Sequence, residues 1–159
     1  LAGQDGSLYH DPCHSPLKLQ EPMKTVKALL GENVIESKRC CGESGTLGVT
    51  RPDISTQVRF RKEEELRKDE TALRGLLASA EGGAPAAPAA HARHGGNLKI
   101  LTSCPSCLQG LNRYKGDLNN GLLEADYIVV EMARKLLGPG WMPEFIARAN
   151  DGGIERVLV

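Results

Sequence analysis

Apolar residues along the chain fall into short runs separated by longer stretches with a helical period. Ser7-Leu8-Tyr9-His10 is the first such run and predicts a strand, closed by Asp11-Pro12-Cys13-His14, where Pro12 and Pro16 forbid regular structure. Residues 21–30 read as a helix, with Pro22 in its first turn, Val26, Leu29 and Leu30 on its apolar side, and Gly31 as its stop. A second short strand follows over 33–37 through Val34 and Ile35, and then a loop rich in glycine, Cys40-Cys41-Gly42-Glu43-Ser44-Gly45-Thr46-Leu47-Gly48. A long helix comes next, with Thr50 as its cap and Pro52 in its first turn. It carries Ile54, Val58, Leu66, Leu73, Leu76 and Leu77 at loosely helical spacing, while the charged run 59–70 reads as a solvated face. Leu98-Lys99-Ile100-Leu101-Thr102 is the best strand in the chain and feeds a helix that starts at Pro105 and passes Leu108 and Leu111 towards Tyr114. Residues 126–137 read as a helix, or as a strand over 127–130 turning into one; 142–149 read as a short helix and 154–159 as a terminal strand. This alternation predicts an α/β fold with a small, largely parallel sheet flanked by helices.

Composition changes the picture in three places. Residues 81–97 are Ala/Pro/Gly with almost nothing to bury, so they read as a flexible insertion within one domain spanning 1–159. The 20 basic and 20 acidic side chains cancel, which removes any electrostatic case for nucleic acid or an anionic membrane. No apolar stretch approaches the roughly 20 residues of a transmembrane helix, and no secretory leader precedes the first motif, so a cytoplasmic setting is expected. The opening Leu1-Ala2-Gly3 lacks an initiator methionine and reads as the start of an excised C-terminal piece of a larger protein.

Chemistry concentrates in the cysteines at 13, 40, 41, 104 and 107. An odd count in a chain without a leader argues against a disulfide framework and for metal or thiol chemistry. Cys104 falls at the predicted N-cap and Cys107 in the first turn, where free N–H groups favour thiolate. Cys40 and Cys41 are poor disulfide partners for each other, but on a glycine-rich loop both sulfurs can turn to one metal. If the first, second and Leu98 strands lie parallel, all three cysteine loops leave the sheet at one edge and converge. Five thiolates exceed zinc's usual four ligands and suit an iron–sulfur cluster. A thioredoxin-like dithiol at Cys104 and Cys107 is the competing reading, and it leaves the other three without a role. His10 and His14 flank the first cysteine; each hydrogen-bonds a loop carbonyl or carboxylate, donates to a thiolate, or substitutes as a ligand where zinc is bound. His91 and His94 in the insertion read as solvated, Trp141 and Met132 as packing, and Lys38, Arg39 and Glu43 as loop surface, with tuning of charge around the cluster as their alternative.

Tyr-His-Asp-Pro-Cys-His (9–14), Cys-Cys-Gly-Glu-Ser-Gly (40–45) and Ser-Cys-Pro-Ser-Cys (103–107) together resemble the CCG cysteine-rich domain. Members include the cysteine-rich subunit of heterodisulfide reductase and the iron–sulfur subunits of glycolate and lactate oxidation systems. The resemblance spans about residues 7–137 and is greatest to the C-terminal module of FAD-linked, D-lactate-dehydrogenase-like oxidoreductases. It implies a ligand set of Cys13, Cys40, Cys41, Cys104 and Cys107 around a 4Fe–4S cluster, noncubane in heterodisulfide reductase and replaced by zinc in some relatives. The function implied is electron transfer within a flavin-dependent oxidoreductase acting on a 2-hydroxy acid such as D-lactate or glycolate. FAD and ferredoxin-type clusters would then belong to upstream domains of the parent chain, with a separate redox partner protein. A structural zinc domain that mediates assembly is the alternative. The chain departs from the family in having one CCG unit rather than two, and 62 residues between Cys41 and Cys104, which the insertion largely explains.

Overall fold

A computed structural model of the chain describes residues 6–17, 19–43, 45–80, 98–115 and 123–151, and divides it into two compact units, Leu1–Tyr127 and Ile128–Val159. In the first unit, strands β1 (Ser7–His10), β2 (Val34–Glu36), β3 (Leu98–Thr102) and β4 (Leu123–Tyr127) form one sheet in the order β2-β1-β3-β4. Every pairing is parallel: Leu8 lies opposite Ile35 on one side and Ile100 on the other, and Leu101 lies opposite Asp126. The α/β, largely parallel architecture read from the sequence is therefore present. All four residues of β1 are buried, as expected of an inner strand of a parallel sheet.

Between these strands run α1 (Pro22–Leu30), the short α2 (Leu47–Thr50), α3 (Pro52–Ala80), α4 (Pro105–Asn112) and a 3-10 turn (Arg113–Lys115). Gly31 closes α1 at φ +101, its N–H bonded to Lys27 O at 2.8 Å, the positive φ that a side chain would resist. Thr50 does not cap the long helix. It ends α2 and donates its hydroxyl to Thr46 O at 3.0 Å, and Arg51, at φ −138 and ψ 67, separates the two helices. The physical reason is Pro52, whose ring drives the preceding residue out of the helical region.

The core brings Leu8, Leu98 and Ile100 of the sheet together with Leu66 and Leu73 of α3, Leu111 of α4, Tyr114, and two cysteines, Cys41 and Cys107. α3 packs across β1 and β2, and its buried positions Ser55, Lys62, Leu66, Glu70 and Leu73 form one stripe at helical spacing. The charged run 59–70 is thus only partly a solvated face, since Lys62 lies on the inward stripe.

β4 departs from the sequence reading, which places a helix from 126 or a strand over 127–130. The strand instead occupies Leu123–Tyr127, tied to its neighbour by Lys99 Nζ on Asp126 Oδ2 at 3.1 Å. The second unit contains α5 (Ile128–Leu137) and α6 (Trp141–Asp151), with Gly138 at φ +92 between them and an ion pair within α5 from the buried Glu131 to Arg134. The expected insertion at 81–97, with His91 and His94, and the expected strand at 154–159 lie outside the described residues.

Leu66 is fully buried at the centre of this core. Leu66→Ala should lower unfolding stability by about 2–5 kcal/mol in urea titrations followed by circular dichroism; an unchanged midpoint would place the core elsewhere.

Candidate metal centre

Parallel pairing puts the carboxyl ends of β1, β2 and β3 at the same sheet edge. The strand order reverses there, because the connection after β1 leads to one side and that after β3 to the other. His10 and Thr102 are register partners at this switch point, the place where open α/β sheets bind their ligands. Each cysteine loop begins within a few residues of a strand end.

The first loop is organised by Asp11. Its carboxylate accepts from Tyr9 Oη at 3.1 Å and Ser15 Oγ at 2.7 Å, and Ser15 Oγ accepts from Leu17 N at 3.1 Å. Burial pushes the Tyr9 hydroxyl up to about 12, so it stays a proton donor to Asp11. The second loop turns at Gly42, φ +79, whose N–H approaches Cys40 Sγ at 3.4 Å and whose carbonyl accepts from Ser55 Oγ of α3 at 3.0 Å. In the third, Cys104 is the N-cap of α4, with Pro105 at its first position, so Cys107 falls in the first turn as the sequence predicts.

His10, Cys41 and Cys107 offer one donor atom each, all within 4.8 Å of one another, and all three residues are buried. Bonds of about 2.0–2.3 Å to zinc-like ions would set donor separations near 3.5–3.8 Å, so side-chain rotations of about an ångström close the group on a cation. The donor set fits a thiophilic metal: two sulfurs and a ring nitrogen of His10, whose Nε2 is buried with no hydrogen-bond partner among the described residues.

Electrostatics at the group are asymmetric. Hydrogen bonding with the Cys107 thiol pulls Cys41 down to about 4 against the penalty of burial, with smaller help from His10 and the Glu43 N–H. The His10 contribution is one of proximity, because Nε2 makes no bond of normal geometry. Cys107 is pushed far up, chiefly by that same bond to Cys41, with burial and Cys104 adding to it. Burial raises Cys40, with Cys41 and Cys13 adding to the shift.

All five predicted cysteines are free thiols. Cys41 and Cys107 join His10 directly, Cys104 neighbours Cys107, and Cys13, exposed, neighbours Cys40. His14 is exposed on the first loop and outside the donor group. Lys38 and Arg39 are exposed loop residues, as read, but Glu43 is not: it is buried and paired to Arg113 by contacts of 2.7 and 2.8 Å. Charge cancellation across 70 residues cannot be seen in a linear reading.

Lys62 is the functional neighbour that sequence reading missed. Fully buried, its ammonium donates to Ser37 Oγ at 2.6 Å, Ser37 O at 3.2 Å and Glu65 Oε1 at 3.4 Å, and lies 3.5 Å from His10 Nδ1. Burial lowers its pKa, and negative charge at Glu65, Asp69 and Cys41 opposes that shift. A buried cation beside a thiolate group offsets the negative charge that several thiolates bring to a metal. The one signal available was its spacing from Ser55, Leu66 and Leu73, which continues the inward stripe.

Residues 7–74 match the family model of the cysteine-rich (CCG) domain, and residues 112–159 match a domain of unknown function, DUF3400. No curated protein and no solved structure matches the chain. The match covers 7–74, with two of the three cysteine loops, and together with the clustered His/Cys donors it points to a metal-binding, cysteine-rich module.

Gly110 of α4 holds the second and third loops together, because a Cβ there would lie 2.8 Å from Glu43 Cβ and 3.1 Å from Cys41 O. Gly110→Ala should weaken zinc uptake by about 10–100-fold, the loss typical when the support of a metal ligand is disturbed. Gly75→Ala on α3, where nothing lies within 4 Å, serves as control and should leave uptake unchanged. Equal affinity in both variants, by competition with a chromophoric chelator, would separate Gly110 from the site.

Proposed function

Taking residues 7–74 as a CCG cysteine-rich domain, we propose that this chain is an iron–sulfur electron-transfer module of a flavin- and iron–sulfur-dependent oxidoreductase that acts on a 2-hydroxy acid such as D-lactate or glycolate. The observation that carries the reading is the placement of three cysteine loops at one edge of a parallel sheet, with Cys41 and Cys107 already in one buried group. In this reading Cys13, Cys40, Cys41, Cys104 and Cys107 are the cluster ligands. Five thiols supply one more than a tetrahedral ion needs, and the extra thiolate suits a cluster of the 4Fe–4S type. The protein's own contributions are then distinct. The core fixes Cys41 and Cys107, the exposed first loop closes Cys13 over the centre, and Lys62 compensates charge.

FAD belongs to upstream domains of the parent chain in this scheme, along with ferredoxin-type clusters that pass electrons to the CCG centre and on to a redox partner protein. The setting is cytoplasmic. No helix among the described residues is long and apolar enough to cross a membrane.

A structural zinc site is a second reading with an observation of its own: the mixed nitrogen and sulfur donors of His10, Cys41 and Cys107 suit zinc. The two differ in what loading produces. Anaerobic reconstitution with iron and sulfide should give bound iron and a visible sulfur-to-iron charge-transfer band, and Cys41→Ser should reduce bound iron about tenfold or more. A colourless, iron-free chain that instead binds one zinc and unfolds with chelator would favour the structural role.

A further inference from the structure

His10 stands apart from the cysteines in what surrounds it. The ring is 1% exposed at the carboxyl end of β1, inside the sheet, so its orientation is set by packing rather than by solvent. Nδ1 faces the carbonyl oxygen of Ser37 at 3.2 Å. A carbonyl only accepts, so a neutral ring that bonds this nearer partner carries its proton on Nδ1 and its lone pair on Nε2. Lys62 Nζ lies 3.5 Å from Nδ1, but its three hydrogens have three nearer acceptors in Ser37 Oγ, Ser37 O and Glu65 Oε1, so it leaves the ring to the carbonyl. The Ser37 backbone is in turn fixed by its N–H bond to Tyr9 O at 2.8 Å, which locks the end of β2 to β1.

The outcome is a buried imidazole with its lone pair on Nε2, the nitrogen that has no hydrogen-bond partner. Left unsatisfied at this depth, such an acceptor is costly. Two thiols, Cys41 and Cys107, lie within 4.8 Å of the ring's donor atom. A ring whose other N–H is held by a backbone carbonyl is the arrangement in which metal-bound histidines are normally found.

We propose that His10 is itself a metal ligand, binding zinc(II) through Nε2 alongside Cys41 and Cys107, so that the site is a mixed nitrogen–sulfur centre. This rests on the zinc reading above and deepens it by assigning the ligating ring nitrogen and the residues that set its tautomer. Ser37 and Lys62 are positioning residues: one carbonyl selects the tautomer, and the ammonium holds that carbonyl and the Ser37 hydroxyl in place.

X-ray absorption at the zinc edge of the whole chain loaded with one equivalent of zinc(II) tests the proposal. The spectrum should contain an imidazole nitrogen at about 2.0–2.1 Å beside sulfurs at about 2.3 Å. His10→Gln should lose the imidazole signature and bind zinc about tenfold or more weakly, whereas His14→Gln, altered on the exposed first loop, should keep both. If His10→Gln does not fold, long-range proton–nitrogen spectra of the unaltered chain still decide the matter. They should show His10 protonated on Nδ1, with Nε2 shifted on zinc addition. Zinc bound by sulfur alone, or an imidazole signal that disappears in His14→Gln and persists in His10→Gln, would overturn the proposal while leaving metal binding intact. A chain that takes up no zinc would overturn it too, and cluster formation from iron and sulfide is scored separately.

Discussion

Parallel hydrogen bonding between β1 and its two neighbours is the constraint on which the rest depends. In a parallel sheet every strand ends at the same edge, so residues 13, 40/41 and 104/107, scattered through the sequence, leave from adjacent points. An antiparallel β1 would send the first loop to the opposite end and separate Cys13 from the others by the length of the strand. The register matters as much as the direction. His10 opposite Thr102 sets the imidazole level with the start of the loop that carries Cys104.

Around that edge the protein spends polar groups where a simple α/β core would place hydrocarbon. Lys62 sits on the same helical stripe as Leu66 and Leu73, and Glu43 is buried with Arg113 against the Cys41 loop. Isolated buried charges are costly, and these are held by specific partners: Ser37 and Glu65 for the lysine, Arg113 for the glutamate. Apolar substitutes would pack at least as well, so their presence points to the electrostatics of the cysteine group. Cys41 lies near the lysine network and beside Cys107.

Much of this was legible from residue order. Short apolar runs bounded by proline and glycine located β1, β2 and β3, and the Cys104-Pro105 step located the start of α4. The convergence of the loops followed once the strands were taken as parallel. Three features were not legible, for separate reasons. β4, with Glu124 and Asp126 among its five residues, lacks the apolar run of an inner strand and flows directly into the Ile128 helix, which masks the boundary. Lys62 is hidden in a run of charges whose composition suggests solvent, and only the burial of every third or fourth residue reveals the stripe. His10 was legible as a candidate beside the first cysteine, but choosing among its roles depends on a carbonyl 27 residues away and on Nε2 having no hydrogen-bond partner among the described residues, neither of which leaves a trace in the local sequence.

The gathering of three loops around one centre is tested most directly by alkylating each cysteine and reading the rates by mass spectrometry, before and after anaerobic loading with iron and sulfide. In the metal-free chain Cys13, exposed, should react fastest and the buried Cys41 and Cys107 slowest. Loading should then protect Cys13, Cys40, Cys41, Cys104 and Cys107 together, with one dependence on cluster content. Continued full-rate alkylation of Cys13 and Cys40 in the loaded chain, with protection confined to the other three, would contradict a common centre.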